Sequence, residues 1–348
     1  SYIYIGENAQ ILNGASGYPS TMDGNVYGGG YSPDNVSVNF TGDTHITIAN
    51  VQTTAGNVFG GSTMKNTASA LIHGGSTYIT VDLEAGQSGI FAKNIYGGSH
   101  IGAEGGGSPN LTINGDGNVS VTAPADVTFS GVIAGGGLIS GGGSANAQVN
   151  VLGDTHVTID GGTYNNLVIG GGHKSGGNGT VSVGGNTNVT IKSGTFRNVI
   201  YGGGSGAGAT VAGNTNIVVT GISSSSRIFG GGNLISVGGN TSVSVSGSAD
   251  KRLIIVGGSQ LASGATDVGV AGNTNVVFGE TYGAGADLDA VDAANQAMRI
   301  FGAGLYGVVS GDSTVTFKSG TLVGELDGSG VPLTGVGADL AGGGWAGG

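Results

Sequence analysis

Apolar and polar positions alternate along a phrase that returns throughout the chain. It reads Gly-Asn-Thr-Asn-Val-Thr-Ile at 185–191, and its relatives begin at Gly42, Gly75, Gly115, Gly153, Gly213, Gly239, Gly272 and Gly311. The apolar members pair up as Ile46 and Ile48, Val157 and Ile159, Val189 and Ile191, Val243 and Val245. Thr47, Thr158, Thr190 and Ser244 stand between them. Period-two alternation rich in Val, Ile and Thr predicts a strand with one face on a core and one in solvent.

A second phrase, an apolar run ending in glycines, separates these strands. It reads Asn-Val-Tyr-Gly-Gly-Gly at 25–30, Val-Ile-Ala-Gly-Gly-Gly at 132–137 and Val-Ile-Tyr-Gly-Gly-Gly at 199–204. Its first glycines fall at 28, 60, 97, 135, 170, 202, 230, 257 and 302, so successive copies lie 27 to 45 residues apart. A recurring unit of this size predicts a solenoid. Helical repeats have similar lengths, but the chain holds 78 glycines, each costing about 0.8–1 kcal/mol against Ala in a helix interior. The units are therefore read as β. One unit of two or three short strands cannot close a core, whereas copies stacked at about 4.8 Å pair with the copies on either side. The expectation is an all-β, right-handed parallel β-helix, or β-solenoid, of about nine coils of 26–45 residues, with about three sheets. The glycine triplets are expected at its corners, supplying positive φ and close approach of neighbouring chains.

Residues 1–24 are expected to cap the N-terminal end, and 25–348 to form the repeats. The 45-residue unit carries an expected helical insertion near 285–299, in which Leu288, Val291, Ala294 and Met298 share a face and Asp287 caps the start. The terminal Ala-Gly-Gly-Gly-Trp-Ala-Gly-Gly begins another glycine phrase, so the chain is expected to continue or to meet another molecule there. Ser1, with no Met and no charged leading segment, points to a matured or excerpted chain.

Charged residues make up 9% of the chain and the net charge is −11 with ten Lys and Arg, which argues against nucleic acid. No run of about 18 apolar residues occurs, so no membrane insertion is expected. Cysteine is absent, which removes disulfides, thiolate metal sites and cysteine catalysis together.

The phrases Val-Ile-Tyr-Gly-Gly-Gly and Gly-Asn-Thr-Asn-Val-Thr-Ile resemble the Gly/Asn/Thr-rich β-solenoid repeats of bacterial cell-surface proteins, including adhesin-like proteins and autotransporter passenger regions. The likeness spans about 25–345. It implies an extracellular, surface-attached or secreted location and brings no catalytic motif.

Parallel β-helices also include polysaccharide lyases and hydrolases, which need clustered carboxylates with a basic residue or bound cation. Arg197, Arg227, Arg252 and Arg299 precede glycine phrases by 5, 3, 5 and 3 residues. Odd offsets place them on one strand face, a candidate column for an acidic glycan weighed against solvated outward positions. Asp287, Asp289 and Asp292 form the densest acidic cluster, read as a partner site on the inserted helix rather than a calcium repeat. His45 and His156 share a repeat position with Asn188, Asn216 and Asn275, which makes them outward polar groups rather than metal ligands. His73, His100 and His173 stand alone, without the spacing of a metal site. No metal or cofactor is expected. The glycine phrases lack the Gly-Lys-Ser/Thr ending and following helix of a phosphate loop. A threonine-lined face raises ice binding, but Tyr78, Val218 and Val277 interrupt it.

The expectation is a non-catalytic extracellular structural or adhesive rod. Its partners would be further copies of itself, stacked head to tail, or a cell-surface glycan or protein.

Overall fold

The computed structural model describes residues 1–5, 10–11, 24–32, 39–49, 53–54, 56–64, 70–86, 89–91, 93–102, 109–141, 146–222, 226–246, 253–263, 268–279, 299–318 and 339–344. Among them every strand pair is parallel and no helix occurs. The strands form a parallel β-helix of four sheets, one more than the alternation pattern suggests.

The alternating phrases build the longest sheet, here called the ladder sheet. Its path runs through ten strands, from Tyr2–Ile5 and Thr44–Ala49 to Thr274–Phe278 and Ser313–Phe317. Ile46, Ile79, Val119, Val157, Val189, Ile217, Val243, Val276 and Val315 fall in one register column. The apolar runs before the glycines build a second ten-stranded path, the glycine sheet, from Val26–Tyr27 to Asp339–Ala341. That last strand precedes Gly342 and supplies a tenth rung beyond the nine glycine phrases. A corner sheet of nine strands, from Asn39–Phe40 to Val308–Val309, leads into the ladder.

The fourth sheet follows each glycine turn. Its five two-residue strands, among them Thr63–Met64, His100–Ile101, Leu138–Ile139 and His173–Lys174, continue as single bridges through Ser205, Asn233, Gln260 and Leu305. The chain folds back here over the glycine sheet. Adjacent strand residues point to opposite faces, so Val58 enters the core beside the ladder while Phe59 enters a second core on the other side. Phe59, Tyr96, Ile169, Tyr201 and Phe229 line that second core with Leu138 of the fold-back sheet. The opposite residues of the fold-back strands, Met64, Ile101 and Ile139, meet Leu71, Leu111 and Val149 of the corner sheet in a third.

The triplet glycines correct one expectation. Among the described glycines with positive φ none is the leading glycine of a repeat phrase. Close approach alone selects them: a Cβ on Gly135 would lie 2.5 Å from the Gly170 oxygen and 2.8 Å from the Thr155 Cβ. The same turn steps over one carbonyl per coil. Gly170 N–H donates to Tyr201 O and Gly171 N–H to Gly203 O, passing Gly202 O. The buried Thr187 hydroxyl, reaching from the ladder sheet, donates to that oxygen at 2.5 Å. Thr44, Thr77, Thr155 and Thr241 do the same for Gly60, Gly97, Gly170 and Gly257, and Thr215 for Gly230. Each threonine therefore ties the two main sheets together across the core.

Tyr2–Ile5, within the stretch expected to cap the rod, is the first ladder strand and pairs with Thr44–Ala49. The helical insertion expected near 285–299 lies outside the described residues, apart from Arg299, which opens the strand Arg299–Phe301.

Candidate functional site

The outward side of the ladder sheet carries two central columns. One runs Tyr2, His45, Tyr78, Asn118, His156, Asn188, Asn216, Ser242, Asn275, Thr314. Its neighbour runs Tyr4, Thr47, Thr80, Ser120, Thr158, Thr190, Val218, Ser244, Val277, Thr316. In the inner strands both sit at exposed or partly exposed positions that alternate with buried ones. At one end Tyr2, His45 and Tyr78 form a ring stack, with centroids 4.8 and 4.7 Å apart and planes within 6°. Tyr2 and Tyr4 are 85% and 71% exposed.

Among the described residues, charge on this face is confined to its margin. Asp82 and Asp160 lie in a third column with Ala49 and Thr122. Asp160 takes a hydrogen bond from Ser193 at 2.8 Å and faces Lys192 at 3.8 Å.

Polar columns at the corners behave differently, because their groups are engaged within the rod. Where the corner sheet meets the ladder, Asp116 accepts the Asp154 N–H through Oδ1, Asp154 that of Asn186, and Asn186 that of Asn214. Asn214, Asn240 and Asn273 continue the relay to Asp312. Asn25, Asn57 and Asn94 form a second relay that ends on the Val132 N–H. Side chains here take over the N–H groups of turning backbone, which would otherwise need another partner.

The candidate arginines do not form one register column. Arg227 and Arg299 align in the glycine sheet, with Ile254 between them. Arg299 pairs with Asp339 of the next strand at 3.2 Å. Arg197 follows Phe196 at the end of a ladder strand and is exposed. Arg252, Asp287, Asp289 and Asp292 lie outside the described residues. His45 and His156 share the column of Asn188, Asn216 and Asn275, as their spacing indicates.

Of three histidines that look isolated in sequence, His73 is buried and His100 and His173 are partly buried against aromatic side chains. His100 stacks on Phe59, with centroids 4.7 Å apart. Its Nδ1 lies 3.1 Å from Thr63 Oγ1 and its Nε2 lies 2.8 Å from Ser140 Oγ. Burial pushes its pKa down to about 4. His173 meets the Tyr96 hydroxyl at 2.9 Å through Nδ1, and burial lowers its pKa as well. His73 lies against Phe40, with its Nε2 3.3 Å from Ser76 O, and burial again lowers its pKa. Burial also raises the Tyr96 and Tyr201 hydroxyls, the latter to about 12. Each of the three histidines is thereby held neutral near pH 7, as a packing group.

Sequence reasoning passed over Tyr2 and Tyr4, which stand two residues apart and therefore on one face of the first strand. Their i, i+2 spacing was the available signal. The chain matches no family model, and no curated protein or solved structure matches it.

Proposed function

We propose that this chain is an extracellular, non-catalytic β-solenoid of a bacterial surface, serving as a rigid structural or adhesive element. The observation that carries the reading is the constant register of the two central columns of the ladder sheet through ten strands, ahead of the shifts at Ala123/Thr128 and Ile159/Asp160, which displays side chains in straight lines on one side. At about 4.8 Å per strand the columns extend roughly 43 Å. Such a scaffold does mechanical and display work: it fixes contact groups at constant spacing, and its backbone pairing limits access by proteases. The Gly/Asn/Thr-rich repeats, similar to those of surface adhesins and passenger regions, support the extracellular placement.

Negative-stain electron microscopy across a dilution series, with an assay for sugar release from polysaccharides, tests this. Short rods that resist protease and release no sugar are expected. Release of soluble sugar would replace the reading with a polysaccharide-active enzyme. Filaments that lengthen with concentration would make the chain an assembly subunit.

A further inference from the structure

We propose that the outward face of the ladder sheet binds an uncharged, extended polysaccharide lying along the rod, with the Thr47–Thr80–Ser120–Thr158–Thr190 row as its contact line. This rests on the adhesive reading above and names its ligand class.

The outward row has hydrogen-bonding capacity to spare. The corner relays and the buried threonines have their polar atoms committed to backbone groups. Among the described residues, the hydroxyls of the outward row are engaged with no protein group. Each can donate one hydrogen bond and accept others, and parallel pairing fixes them one strand spacing apart, about 4.8 Å. A ligand meeting this row finds donors and acceptors already ordered, which lowers the entropic cost of binding.

Charge argues next. Neither central column contains Asp, Glu, Lys or Arg, and the marginal Asp160 is matched by Lys192. An acidic polymer would gain nothing from this face, and the chain's net charge of −11 would repel it. A neutral polymer of hydroxyl groups loses no ionic solvation on docking.

Tyrosine is distributed unevenly between the interior and this face. Tyr96 and Tyr164 are almost fully buried, whereas Tyr2, Tyr4 and Tyr78 lie exposed on this one face. Tyrosine offers an apolar body with a polar tip and little conformational entropy to lose. The three place such groups at one end of the row, on the first and third ladder strands.

The test is co-sedimentation with insoluble cellulose, chitin and xylan, and with cross-linked polygalacturonate as the acidic comparison. T158K/T190E puts opposite charges at register partners in mid-row, where they can pair with each other. Q148K/T180E does the same at exposed register partners on the corner sheet. Thermal unfolding establishes that both variants fold. The wild type is expected to sediment with at least one neutral polymer, and to do so at ~1 M salt, where the Debye length is about 3 Å. T158K/T190E should weaken this about tenfold or more, and Q148K/T180E should leave it unchanged.

The proposal is overturned if a folded T158K/T190E still sediments, if no neutral polymer is bound, or if only polygalacturonate is. Inhibition of ice recrystallisation without sedimentation would overturn it in favour of ordered water as the ligand. Binding lost only in Q148K/T180E would move the site to the corner sheet and leave the adhesive reading standing. Sugar release would overturn both.

Discussion

At the scale of single residues, the interior depends on the size of glycine and the reach of threonine. Thr187→Val keeps shape and volume but leaves the Gly202 carbonyl without its donor. A loss of about 1–3 kcal/mol is expected, measured by denaturant unfolding, with Thr187→Ser recovering most of it. Gly135→Ala should cost at least as much, because the added methyl meets backbone that cannot rotate away. Alanine at Gly343, where a Cβ meets nothing within 4 Å, should be silent by comparison. The triplets show where reading by residue type stops. Glycine suits both positive φ and close approach, and the sequence does not separate the two. The structure does: the repeat-leading glycines avoid the left-handed region, while Gly161, Gly162 and Gly194 adopt it in the later half of ladder strands.

At the scale of elements, the ladder strands were legible because four or more residues carry one period. The fold-back sheet was not, because two-residue strands such as Thr63–Met64 and His173–Lys174 have no period to show. Arg197 falls out of line with Arg227 and Arg299 for a related reason. An odd offset from a glycine fixes the strand face but not the register, so Arg197 sits two positions ahead of the site that Arg227 fills. Burial of His100 in the fold-back sheet has a consequence for pH. Its folded pKa lies below the unfolded 6.5, at about 4. Between these values the unfolded chain holds the additional proton, so stability is complete above 6.5 and falls as pH drops toward 4. The loss at the bottom of that window is on the order of 2–3 kcal/mol. His100→Leu, the residue its register partner Leu138 already provides, should flatten this dependence. His173 and His73 add to the slope in the same direction. Urea unfolding midpoints from pH 7 to pH 4 measure it.

At the scale of the whole molecule, the backbone of each coil pairs with its two neighbours, and a few side chains, such as Tyr96 with His173 and Tyr201 with Gln260, reach one coil further. The strand pairs join segments one repeat apart along all four sheets. Removal of one unit, residues 185–212, would bring Asp154 against Asn214 and Thr155 against Thr215, the same groups each now meets in kind. The shortened chain is expected to fold, with a lower unfolding free energy by roughly one coil interface. Circular dichroism and equilibrium unfolding decide this, and a chain that fails to fold would show that coupling reaches beyond nearest neighbours.

The direction of the backbone hydrogen bonds also sets how the rod meets force. They run from coil to coil, along the rod axis. Tension applied between its two ends loads them a few at a time, as in opening a zipper. A coil pulled free yields slack of about 3.4 Å per residue. A stretched rod would thus give way in successive small steps, each dissipating work.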